Sequence, residues 1–151
     1  MSAAGVMILV GAAVAQFCLG RVLASPWAVP DLMLVGMLLV LLDMPRNRSL
    51  GVGVLAGLLV MAVTTRQPLV VGLAYGGVAV VVRSLAAVVD LAEPRIHLAV
   101  AAVLETGLLA LWLVLGGRLS VALLILAGVK LLLTVASVPL LRPLVISVSG
   151  R

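Results

Sequence analysis

Glu105 and Lys130 are the two charges set deepest in apolar sequence. Glu105 lies 12 residues before Gly117 and Lys130 lies 13 after it, in two apolar runs joined by a Gly116-Gly117-Arg118 turn. At a rise of about 1.5 Å per residue they sit roughly 18 Å and 19.5 Å from that turn. In an antiparallel helical hairpin both reach nearly the same depth, close to the middle of a hydrocarbon layer about 30 Å thick. An unpaired charge there costs roughly 2.5–3.5 kcal/mol on insertion scales. Matched opposite charges on adjacent helices therefore predict a buried intramembrane ion pair, or a hydrogen-bonded pair sharing one proton. In a second reading each charge escapes separately to its own partner, and in a third the two form a proton-coupling or ligand site. The structural pair is favoured, because no further acid or histidine lines up at that depth to make a relay.

The remaining reactive side chains are scattered. Asp90, Glu93 and His97 could be imagined as metal ligands, but Pro94 breaks their helical spacing and Arg95 offers a simpler ion pair. His97 reads as an interfacial polar residue. Cys18 is the only cysteine, flanked by Phe17 and Leu19, and reads as an inert buried thiol. Gln16, inside an apolar run, is expected to make one interhelical hydrogen bond rather than a ligand contact. A membrane enzyme needs clustered catalytic groups, and five acids, one histidine and one cysteine spread over the chain do not supply them. No catalytic, cofactor-binding or metal-binding residue is therefore predicted, and the protein reads as a non-enzyme without a cofactor.

The elements that must position these groups are membrane helices. Of 151 residues, 65% are hydrophobic and only 10% charged, far outside globular composition. The apolar runs are continuous, which argues for helices and against an outer-membrane barrel. About six spans use nearly the whole chain, at 3–23, 27–42, 50–65, 69–89, 96–115 and 119–141, with five possible; this leaves a single all-α transmembrane domain over 1–151. Pro30 suits the first turn of the second span, and Asp31 can accept hydrogen bonds from its free amides. Gly53 and Gly57, and again Gly72 and Gly76, have the GxxxG spacing that lets helix backbones approach closely. Pro139 and Pro143 are expected to bracket a fraying end of the sixth span. The net charge of +5 is no nucleic-acid signal, because the arginines sit mainly at segment ends, where they fit lipid headgroups and topology. With six spans, Arg46, Arg48, Arg83, Arg95, Arg142 and Arg151 fall on one side, and Arg21, Arg66 and Arg118 on the other. That bias predicts both termini in the cytoplasm.

Taken in order, Pro30-Asp31-Leu32, the basic turn Pro45-Arg46-Asn47-Arg48, Gly51-Val52-Gly53, Gly57-Leu58 and Pro68-Leu69 resemble the motifs of the bacterial rod shape-determining protein MreD family. The resemblance covers roughly residues 26–77; beyond that it is one of hydropathy and length. Two positions depart from the pattern. An Asp that many members carry after the Gly-Leu pair is missing from Leu59-Val60-Met61-Ala62-Val63, and the glycine usual after Pro-Leu is Val70. Whatever those residues do in the family does not carry over. The resemblance implies a fold similar to that of transporter S components. It also implies a non-enzymatic scaffold of the cell-elongation machinery in the bacterial inner membrane. Such a scaffold would bind the membrane span of a bitopic MreC-type partner, near the RodA and class B penicillin-binding protein pair that builds peptidoglycan.

The competing expectation is a substrate-binding S component of an energy-coupling-factor vitamin transporter, or another small transporter subunit. An S component needs a cavity lined with polar and aromatic groups. Phe17, Trp27, Tyr75 and Trp112 are the only aromatics, which is thin provision for a vitamin ring. A scaffold role leads.

Overall fold

The computed structural model describes residues 3–23, 28–42, 49–63, 67–89, 93–116 and 120–149. Among them there are six α-helices and no strand: α1 (Ala3–Val22), α2 (Leu32–Leu42), α3 (Ser49–Val63), α4 (Pro68–Leu85), α5 (Pro94–Gly116) and α6 (Val121–Ser149). Four of these, α1, α4, α5 and α6, are long and apolar enough to cross a membrane. The outward faces carry large apolar side chains such as Met7, Val54, Leu73, Val103, Ile125 and Leu132. An apolar exterior of this extent is untenable in water and suits lipid. The chain is an all-helical membrane protein.

The other helices are arranged around α2. It touches all five of them, and they close a ring in the order α1, α3, α4, α5, α6 and back to α1. The sequence of α2, LMLVGMLLVLL, is apolar on every side, and Met33 to Leu41 are all buried. A helix apolar all round belongs in an interior. Gly36 keeps the contact with α1 close: a Cβ there would lie 3.1 Å from the Cβ of Ala12.

At 11 residues, α2 is about 16 Å long and cannot cross the hydrocarbon layer by itself. The expected helical span over 27–42 is thus shorter than predicted. Pro30 precedes the helix instead of entering its first turn. Non-helical backbone at membrane depth survives only where protein covers it, and here Val29 and Asp31 are buried.

The two GxxxG spacings meet each other. A Cβ on Gly57 would come 2.7 Å from the carbonyl oxygen of Gly72, and one on Gly53 would collide with Ala79 and lie 3.5 Å from the oxygen of Gly76. Four residues forward on α3 correspond to four backward on α4, so the pair is antiparallel and packed backbone to backbone. A Cβ on Gly72 would in turn collide with the Met61 side chain of α3 and lie 3.3 Å from the carbonyl oxygen of Gly57. Gly76 differs from its expected role: its backbone is approached, but a Cβ on it would point into open space.

The sixth helix runs past its expected end at residue 141, through Pro139 and Pro143, to Ser149. Each proline removes one i→i−4 bond, to the carbonyls of Val135 and Pro139 respectively, and the flanking turns carry the helix through both. Cys18 is exposed, not buried: it shares the outer face of α1 with Val14 and Phe17. Arg21 closes that helix over the Phe17 ring, 5.1 Å from its centroid.

Gly57→Ala should destabilise the folded protein by about 1–3 kcal/mol, because the new methyl meets backbone that cannot rotate away. Gly76→Ala should be close to neutral. Thermal unfolding in mild detergent separates the two; equal melting temperatures for both variants would overturn the backbone-to-backbone packing.

Candidate functional site

The chemistry of the interior is concentrated at the N-terminus of α2. A helix start leaves its first amides without intrahelical acceptors, and inside a bilayer no water replaces them. Each one finds a specific partner. Asp31 N–H donates to Thr134 Oγ1 of α6 at 2.8 Å. Leu32 N–H donates to the carbonyl of Pro30 at 2.9 Å. Met33 N–H donates to Gln16 Oε1 of α1 at 2.9 Å. Leu34 N–H donates to Asp31 Oδ1 at 2.9 Å, which makes Asp31 the N-cap. The regular ladder begins with Val35 N–H on the carbonyl of Asp31 at 3.1 Å.

The second carboxylate oxygen of Asp31 accepts the Tyr75 hydroxyl of α4. One aspartate therefore ties α2 to α4 through its side chain and to α6 through its backbone amide, and it is only 3% exposed. The positive end of the α2 dipole favours the negative charge held there. Gln16 makes the interhelical bond expected of it, and Asp31 makes the capping bond expected of it, buried in the interior.

Glu105 of α5 completes the cluster. It is 1% exposed, and neither of its carboxylate oxygens has a hydrogen-bond partner. Asp31, Lys130 and Thr134 are the polar groups whose charges and dipoles act on it. The hydrogen-bonded ion pair expected between Glu105 and Lys130 is thus not made. Lys130 acts across the α5–α6 hairpin by charge alone. The two are unequally buried: Glu105 is enclosed, whereas Lys130 is half-buried.

The structure brings Asp31, Glu105 and Lys130 into one neighbourhood and leaves the glycine pairs Gly53, Gly57, Gly72 and Gly76 to a separate task at the α3–α4 contact. Arg46 and Arg48 lie outside the described residues, as do Asp90 and Trp27. His97 is buried, lining a cavity away from this cluster. Tyr75 and Thr134 were not singled out as partners by sequence reasoning. A signal existed for each: a tyrosine hydroxyl within an apolar span must find an acceptor, and Thr134 stands one helical turn beyond Lys130, on the same face. The cluster contains acceptors and hydroxyls but no group of three metal-ligating side chains among the described residues. What it does chemically is hydrogen bonding and charge compensation. No protein family, curated protein or solved structure matches the chain.

Asp31→Ala removes the cap and strands the Tyr75 hydroxyl, so it should cost about 2–4 kcal/mol of stability. Thr134→Val orphans one buried amide and should cost about 1–3 kcal/mol. Chemical or thermal unfolding in detergent measures both, and wild-type stability for Asp31→Ala would remove it from the centre of the fold. In a double-mutant cycle, Lys130→Met should be more costly in wild type than in the Glu105→Gln background, where the acid that the lysine compensates is gone. Strictly additive effects would mean that the two residues do not interact.

Proposed function

We propose that the chain is a non-enzymatic scaffold subunit of the cell-elongation machinery in the bacterial inner membrane. Both termini face the cytoplasm, and the partner is the membrane span of a bitopic MreC-type protein near the RodA and class B penicillin-binding protein pair. The observation that carries this reading is the Pro30-Asp31-Leu32 motif. It is the first element of the MreD resemblance, and the same residues hold the centre of the fold. A motif that fixes helix arrangement supports a protein whose output is a shape presented to a partner.

Two further features support a scaffold over a vitamin-binding subunit. The cavity between the start of α5 and the end of α6 has a volume of about 240 Å³ and is lined mostly by aliphatic side chains and prolines, with no aromatic ring to stack on a vitamin. The polar groups of the interior are engaged in capping α2, which leaves few to orient a ligand. The apolar outer faces suit docking of a single span, where fit and small residues decide affinity because lipid is as apolar as leucine.

Co-purification in mild detergent tests the partner: a bitopic scaffold with a periplasmic coiled coil is the expected companion, and capture of transporter ATPases alone would sink the reading. Topology is tested separately. A reporter active only in the cytoplasm should give signal when fused after Arg151 and none when inserted at Gly117. The reverse pattern would overturn the orientation drawn from the arginines.

A further inference from the structure

A second buried polar group lies unpartnered, far from the α2 cap. His97, in the first turn of α5, is only 2% exposed, and its Nε2 has no hydrogen-bond partner. An imidazole nitrogen left bare in an interior costs stability unless something completes it. His97 lines the cavity of about 240 Å³ between the start of α5 and the end of α6. Arg142 lines the same cavity and its charge acts on His97. Arg142 already has an interaction within the protein, and a guanidinium carries five donors in all.

The walls of the cavity are of a different chemistry. Val138 is buried at its floor, Leu98 is half-buried at its side, and Ile146 is exposed at its rim. Pro139 and Pro143 also line it, and their rings leave that side of α6 without amide donors. One end is thus cationic and hydrogen-bonding, and the rest is aliphatic and opens outward.

Its position fits the same chemistry. At 29 residues, α6 is about 44 Å long, well over the roughly 30 Å hydrocarbon thickness. The end that overhangs carries Arg142, and it lies beside the start of α5, where Glu93 and Arg95 mark the polar boundary. The cavity therefore sits at headgroup level. Basic pockets between membrane helices at this depth suit anionic lipid headgroups.

We propose that this cavity binds one anionic glycerophospholipid. Its phosphate is held by Arg142 and His97 and its acyl chain lies along Leu98, Val138 and Ile146. The contact is charge-assisted at the phosphate and apolar along the chain, so neither a free phosphate nor a chain without an anionic head satisfies it. The bound lipid would close the gap between α5 and α6 at their cytoplasmic end and give the His97 nitrogen its missing partner.

Native mass spectrometry and thermal stability of the full chain in detergent test the proposal, with phosphatidylglycerol, phosphatidylcholine and inorganic phosphate added in turn. Phosphatidylglycerol is expected to stay bound at one per chain and to raise the melting temperature. Phosphatidylcholine should do so weakly and inorganic phosphate not at all. Arg142→Gln and His97→Gln should each weaken retention of phosphatidylglycerol roughly tenfold, the loss of one charge-assisted contact. Should either variant fold poorly, Ile146→Trp keeps the question open to decision: it alters only the exposed rim and should block the chain while leaving the protein folded. Equal retention by wild type and the folded variants would overturn the proposal, and so would stabilisation by inorganic phosphate equal to that by the lipid.

Discussion

The structure depends on the absence of water at the start of one short helix. Four amides at the head of α2 must be satisfied inside a bilayer, and α2 can offer them only one side chain of its own, Asp31. The others must come from α1 and α6, through Gln16 and Thr134. Leaving any one bare would cost about 1–3 kcal/mol, a large share of the margin by which proteins are folded. The requirement therefore acts as a positional constraint. Helices α1, α4 and α6 are held at one registered depth around the cap, and the apolar length of α2 fills the space they enclose.

Packing supplies what the hydrogen bonds do not. Lipid is no worse a neighbour for leucine than another helix, so close contact has to come from shape. It does so at Gly57 against Gly72 and at Gly36 against Ala12, where the absence of a side chain brings two helices together. The polar cap sets register and the glycines set distance. The outer faces remain free to meet lipid or another span.

Two acids share this interior, and they are held in different ways. Asp31 has an amide, a tyrosine hydroxyl and a helix dipole. Neither carboxylate oxygen of Glu105 has a hydrogen-bond partner, and Lys130 acts on it through its charge. The cap would hold without Glu105, whereas it would not hold without Asp31. That asymmetry places the structural burden on the Pro-Asp motif.

Some of this is written in the chain itself. Continuous apolar runs in a sequence with so few charges determine a helical membrane protein, because only helices satisfy every backbone group within a single segment. The glycine spacings determine that α3 and α4 each carry a face a helix backbone can approach closely, and Pro30-Asp31 determines where α2 begins to be capped, because these are local rules of backbone geometry. The sequence equally places Glu105 and Lys130 at one depth by counting along a helical rise. Only the tertiary structure decided the rest. That α2 is an enclosed half-length helix, that Tyr75 and Thr134 complete its cap, and that Glu105 is left without a hydrogen bond from Lys130 all depend on which faces meet across elements. Helical periodicity fixes the depth of a side chain along its own axis, but the rotation of one helix against another is set by many contacts at once.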